Sequence, residues 1–257
     1  MPRFAANLSL MFTERPFVDR FAAAADAGFS HVEMQFPYEH PADLLAQKAR
    51  AAGVEVVLIN LPPGDFAAGE RGLAGLDEPD DRFHASIEQA LRYGAALGVP
   101  KMHVMSGNGD PRAPGAIERL SRRLGFAADR LHEQGVAAVI EPLNAQDNPG
   151  YLLNDYALAA RIVRELDRPY LGLLFDMYHR QMMHGTIATA LEQLMPVVGH
   201  VQIAGVPGRH EPDVGEINYP YLFERLDALG YDGFVGCEYN PFGRTEHGLN
   251  WLQDWVS

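Results

Sequence analysis

Four apolar runs in the second half of the sequence each carry a side chain able to hold a cation or move a proton. They are Val139-Ile140-Glu141-Pro142, Leu174-Phe175-Asp176-Met177, His200-Val201-Gln202-Ile203 and Gly236-Cys237-Glu238-Tyr239. Taken singly, an acid closing an apolar run reads most simply as a solvated loop residue or a helix cap. Three carboxylates gathered in one place would repel one another, and a divalent cation is the simplest neutraliser. Oxygen donors without thiolate suit a hard ion, Mg²⁺ or Mn²⁺, while the nearby His179 keeps Zn²⁺ or Co²⁺ open. His179, three residues past Asp176, reads alone as a surface histidine, yet from there it can aim its imidazole at a substrate hydroxyl or at the metal's outer shell. Arg209 and His210, in Pro207-Gly208-Arg209-His210-Glu211-Pro212, offer a planar fork for a carboxylate against the plainer reading of a solvated loop. Glu70 and Arg71, in Gly69-Glu70-Arg71-Gly72, are further substrate-binding candidates, an arginine there being able to close over an acid. His103 faces either a barrel interior or the surrounding helices, and the sequence leaves both open.

What could gather these side chains is visible in the alternation of short β-rich runs with longer amphipathic ones. Strands are expected at 4–10, 31–36, 54–60, 101–105, 136–141, 171–176, 200–203 and 234–238. Helices are expected at 16–27, 41–52, 80–97, 116–134, 155–166, 186–194, 219–229 and 246–255. Gly28, Gly53, Gly135 and Gly230 stand where left-handed caps close four of those helices. Strict alternation implies parallel strands and right-handed crossovers, as a closed barrel or an open doubly wound sheet. No G-x-G-x-x-G follows the first strand, which weakens the open sheet. The expectation is therefore a (β/α)8 TIM barrel forming one catalytic domain over 1–257, in which the four chemical residues end neighbouring strands at one mouth. The Gly-, Pro- and Asp-rich stretch 61–81 reads as a cover for that mouth.

Composition narrows the partners. A net charge of −13, with Lys48 and Lys101 the two lysines, provides no basic field for nucleic acid. No apolar stretch is long enough to span a bilayer, and no targeting segment is evident near Met1. The single cysteine, Cys237, cannot form an internal disulfide, so the cytoplasm is the expected compartment. The same acidic balance would repel an anionic substrate at long range, so a site for one must be locally cationic. A barrel's outer helices are compatible with a homo-oligomer.

At these residues the sequence resembles the hydroxypyruvate isomerase family, within the xylose-isomerase-like barrels that also include ketose 3-epimerases and endonuclease IV. The likeness runs nearly end to end. Its most specific stretches are Arg3-Phe4-Ala5-Ala6-Asn7-Leu8-Ser9, Pro63 through Gly72, His200-Val201-Gln202-Ile203-Ala204, Glu211 through Tyr219, and Gly236-Cys237-Glu238-Tyr239. The resemblance implies that Glu141 and Glu238 bind metal and act as the acid/base pair, with Asp176 and Gln202 completing the coordination. Asn240 departs from the pattern, since close relatives often carry lysine there. The opening residues and the stretch Val201 through Pro212 look like 2-oxo-tetronate isomerases, whereas Glu141-Pro142-Leu143-Asn144 and Pro149-Gly150-Tyr151 look like hydroxypyruvate isomerase.

The implied reaction interconverts an aldehyde and a ketone on a small hydroxy-keto acid through an enediolate, with two glutamates exchanging protons beside a divalent ion. Hydroxypyruvate to tartronate semialdehyde is the expected conversion, and 2-dehydrotetronate to 3-dehydrotetronate the alternative. A ketose 3-epimerase would use similar parts to exchange one proton at a single carbon. An endonuclease IV type phosphodiesterase would require a histidine-rich multi-metal site and a basic face. A sugar-acid binding protein that had lost its chemistry would not need both glutamates.

Overall fold

A computed structural model of the chain describes residues 1–255. The eight strands are β1 (Arg3–Asn7), β2 (His31–Met34), β3 (Glu55–Asn60), β4 (Lys101–His103), β5 (Ala137–Ile140), β6 (Leu171–Asp176), β7 (Val198–Ile203) and β8 (Phe234–Cys237). They pair in parallel in chain order, and β8 returns to β1 with Arg3 opposite Phe234, closing the barrel. Around it run α1 (Arg20–Asp26), α2 (Ala42–Ala52), α3 (Asp81–Leu97), α4 (Ala116–His132), α5 (Tyr156–Leu166), α6 (Met177–His184), α7 (Ile187–Leu194) and α8 (Tyr219–Ala228).

Strand alternation decides what faces inward, because successive side chains point to opposite faces. Ala5, Val57, Val139 and Leu174 belong to a small apolar cluster separate from the larger one packed under the helices. Two residues further on, from Ala5, Val139 and Leu174, come Asn7, Glu141 and Asp176. The polar residues therefore form a layer stacked directly above the apolar plug, at the C-terminal end of the strands.

Two expectations about helices are corrected. The segment 246–255 is not an α-helix: it forms 3-10 turns at Thr245–Gly248 and Asn250–Asp254. Gly248 packs so closely on the Glu211 carboxylate that a Cβ there would lie 2.9 Å from its carboxyl carbon, and Trp251 and Leu252 are buried. Packing against the barrel outweighs helical regularity in this stretch. Conversely α6 was not expected, and it follows Asp176 without a break. The Asp176 side chain accepts the backbone N–H of Tyr178 at 2.7 Å, serving as the helix N-cap while it closes the strand. Strands β1 and β4 end earlier than expected, at Asn7 and His103, and Glu141 and Glu238 each stand one residue beyond their strands.

The long β3–α3 connection is pinned rather than loose. Arg123 on α4, fully buried, donates to the carbonyls of Leu73 and Leu76 at 2.9 and 2.8 Å and to Asp80 at 2.7 Å. Gly72 lies against the Met105 backbone with φ +112°, where a Cβ would sit 2.5 Å from the Met105 carbonyl oxygen.

Candidate active site

The strand ends bring Glu141, Asp176, Gln202 and Glu238 to the C-terminal mouth of the barrel, each of them 5% exposed or less. Glu141, Asp176 and His179 each offer a ligand atom within 4.8 Å of the others. Glu238 joins through Arg209, whose Nη2 lies 3.3 Å from Asp176 Oδ2 and also contacts Glu238 Oε2. The fourth residue, Gln202, places its Nε2 2.7 Å from the buried carboxylate of Glu33, and its Oε1 is buried without a hydrogen-bond partner. Glu141 Oε1 is likewise buried and unpartnered. Buried acceptors left unpaired at the end of a barrel that gathers further carboxylates are the donor set a hard divalent cation takes, so the residues present fit such an ion.

Electrostatics follow from the crowding. Burial, then repulsion from Glu238 and Asp176, pushes the Glu141 carboxyl well above the ordinary range. Burial raises Glu238 to about 7 and Asp176 to about 6, with Arg209 pulling both back. Burial works against the charge on Arg209, but Glu238, Asp176 and Glu141 more than offset it and keep the guanidinium protonated.

His179 plays a role its neighbours fix. The backbone N–H of Asn144 approaches its Nδ1 at 3.2 Å, so that nitrogen must accept and carries no proton. Burial, then Arg209 and His103, holds its pKa well below the usual histidine value, so the ring is neutral and its proton sits on Nε2. Nε2 is 3.7 Å from Asp176 and 3.9 Å from Glu141. An N–H aimed into the site donates to oxygen and, in this tautomer, offers no lone pair to a metal.

Arg209 is set by its loop. Its φ is +57°, Asn240 N donates to its carbonyl at 2.7 Å, and its guanidinium lies 5.0 Å from the Tyr178 ring. His210 donates from Nδ1 to the Asn240 carbonyl at 2.8 Å, tying the loop to the β8 exit. The Asn240 side chain is exposed, and it is the backbone of this residue that organises the loop. Glu70 lies outside the cluster: it pairs with Arg82 at 2.6 Å and accepts the Asp65 N–H. Arg71 donates to the Phe66 carbonyl at 3.1 Å and covers the Phe66 ring at 3.9 Å, so the two side chains are taken up by the first turn of α3 and by the β3–α3 loop itself. Phe66 in turn sits 5.4 Å from Phe36 at the β2 exit, which brings that loop over the mouth.

Several residues of the polar layer escaped the sequence reading. Asn7 and Gln35 donate to Glu238 Oε1 at 3.2 and 2.9 Å, and Glu33 and His200 pair at 2.8 Å inside the barrel. His103 is interior, with Nδ1 3.6 Å from Glu141, and burial lowers it to about 3. The available signal was period two: Glu33 and Gln35, or His200 and Gln202, occupy alternate positions in otherwise apolar strands.

A closed parallel barrel whose carboxylates meet at the C-terminal mouth is the architecture of a (β/α)8 barrel enzyme. The model of the family described as "Xylose isomerase-like TIM barrel" matches residues 21–255, and this chain belongs to that family. It is 49% identical, over its whole length and 99% of the relative's, to a 2-oxo-tetronate isomerase of Cupriavidus necator. It is 38% identical to the hydroxypyruvate isomerase of Escherichia coli, covering 98% of each chain. Among solved structures it superposes on one titled AP endonuclease, family 2, from Brucella melitensis, with a TM-score of 0.96 and 45% identity over all of both chains.

Proposed function

We propose that this chain isomerises a small 2-oxo acid bearing a hydroxyl on the carbon next to the ketone. Glu141 and Glu238 exchange the protons, and a divalent cation is held by Glu141, Asp176, Gln202 and Glu238. The observation that carries the reading is the convergence of two buried, mutually repelling glutamates from the ends of β5 and β8, with Gln202, opposite Asp176 in the sheet, holding a buried and unpartnered oxygen. Moving the carbonyl one carbon along requires a base at C3 and an acid at C2 of a planar enediolate, and two carboxylates gathered at one site can lend and take a proton. The ion supplies positive charge beside the oxygens that become negative. His179 donates to a substrate oxygen from Nε2, and Arg209 supplies the local cation that a carboxylate substrate needs on a chain of net charge −13. Burial excludes water that would otherwise protonate the intermediate at random.

Hydroxypyruvate and 2-oxo-tetronate share this reacting frame and differ by one hydroxymethylene unit. The greater identity to the 2-oxo-tetronate isomerase favours the four-carbon acid, and the shorter hydroxypyruvate is the second reading. Mg²⁺ or Mn²⁺ fits the all-oxygen donor set, with Zn²⁺ or Co²⁺ as alternatives. We assign no nucleic-acid substrate, on the ground of the acidic charge. We place the protein in the cytoplasm: no helix among the described residues is long and apolar enough to cross a membrane, and the one cysteine is buried.

The test is to incubate the metal-loaded protein separately with each acid in D₂O and follow the carbon skeleton by NMR. Carbonyl transfer with deuterium at the carbon that received the proton supports the reading. Deuterium at one stereocentre without carbonyl movement would make it an epimerase, and cleavage of abasic DNA with neither acid turned over would make it a phosphodiesterase.

A further inference from the structure

The polar layer contains one carboxyl group that no role above uses. Glu33 on β2 is fully buried, where an unpaired carboxylate would be costly. Its Oε1 accepts from Gln202 Nε2 at 2.7 Å and from Asn7 Nδ2 at 3.0 Å, and its Oε2 lies 2.8 Å from His200 Nε2. Gly236 on β8 makes room for it, since a Cβ there would lie 2.5 Å from the carboxyl carbon.

Glu33 Oε1 already takes a hydrogen bond from the Asn7 amide nitrogen, so on this side the carboxyl oxygen is an acceptor. The end of Gln202 that faces Glu33 must therefore be the amide nitrogen, and the oxygen is turned the other way, where it is buried and unpartnered. A carboxamide without such a neighbour presents either end with little bias, and an N–H₂ facing a cation repels it. Asn7 is ordered by the same group: its Nδ2 spans Glu33 and Glu238, and its Oδ1 accepts the Ser9 N–H at 3.0 Å.

We propose that Glu33 is a positioning residue that sets the Gln202 amide with its oxygen toward the carboxylate cluster, and so creates the fourth cation ligand. This rests on the divalent-cation reading of the site. Glu33 touches neither ion nor substrate and acts through Gln202.

The experiment measures Mn²⁺ binding to the full chain by calorimetry for wild type, E33Q and the exchanged pair E33Q/Q202E. In E33Q two amides face each other and the Gln202 orientation is lost, so Mn²⁺ affinity falls by about tenfold or more. In the pair the introduced amide donates to the introduced carboxylate, whose other oxygen faces the ion, and affinity returns to within about threefold of wild type. E33Q binding as tightly as wild type overturns the proposal, and so does an equal loss in E33Q and the pair, which would be general damage to the barrel. Wild type binding no Mn²⁺ would remove the cation reading itself, a different result from either. Should E33Q fail to fold, wild type decides by NMR, the Gln202 side-chain amide being assigned by its loss in Q202E. Added Mg²⁺ then shifts that signal while its protons stay slow to exchange, and a signal that does not move with Mg²⁺ overturns the proposal.

Discussion

Arg209 Nη2 lies 3.3 Å from Asp176 Oδ2 and at the same time contacts Glu238, so one guanidinium neutralises acids from two strands that do not touch in the sheet. The positive charge of a loop residue thus lies among the carboxylates read as cation ligands. Asp176, His179, Gln202 and Glu238 are each constrained by a partner from a different element, and the consequences are measurable.

Replacing Arg209 with methionine leaves Asp176 and Glu238 without their buried counter-charge. Without metal, R209M loses about 3 kcal/mol of stability. Added Mn²⁺ raises its melting temperature by more than it raises that of wild type, because the ion then relieves more repulsion. Turnover of a carboxylate substrate falls at least about a hundredfold, the scale of losing one positioned electrostatic contact in a dry site. Scanning calorimetry with and without Mn²⁺ checks the first two, and equal metal-induced shifts would contradict them.

His179 separates ligand from donor. Because Nδ1 accepts the Asn144 N–H and Nε2 carries the proton, H179A keeps its Mn²⁺ affinity within about threefold while its turnover drops about a hundredfold. H179Q, which retains an N–H, recovers part of that loss. A collapse of metal binding in H179A would make the imidazole a ligand after all.

Lys101, at the start of β4, donates to the Gly199 carbonyl inside the barrel wall, and burial lowers its pKa to about 8 from the ordinary 10.5. Between those values the unfolded chain binds one proton more than the folded chain, so this group makes stability rise with pH across about 8 to 10.5. The stability difference between wild type and K101M therefore moves in favour of wild type over that window, by at most about 1.4 kcal/mol per pH unit. Denaturant titrations at pH 7.5, 9 and 10 measure it, and a difference that is flat with pH would show that the amine is not perturbed.

Arg123 holds the β3–α3 loop by its carbonyls. R123M strands buried carbonyl acceptors and removes one of the two guanidiniums paired with Asp80, the other being that of Arg122, costing about 3 kcal/mol. Hydrogen exchange should quicken at Leu73 through Glu78 before it does so in the barrel strands. Uniform acceleration across the chain would mean that the loop is not a separately anchored unit.

The sequence by itself determined the barrel and the four strand-end residues. Period, glycine caps and alternation are local properties, and in a parallel barrel they leave one arrangement of the C-terminal ends. Alternation also explains why Glu141 and Glu238 face inward although both lie one residue past their strands. Tertiary structure alone decided the rest, because it depends on contacts between residues far apart in the chain. Arg209 reaches the cluster through a loop fastened at Asn240, whereas Glu70 and Arg71, equally eligible by type, are taken up by Arg82 and Phe66. The protonated nitrogen of His179 is set by a backbone N–H from the β5 exit, and the direction of the Gln202 amide by a carboxylate 169 positions away. Which atom of a side chain faces a site is a question of its neighbours' donors and acceptors, and folding supplies those neighbours.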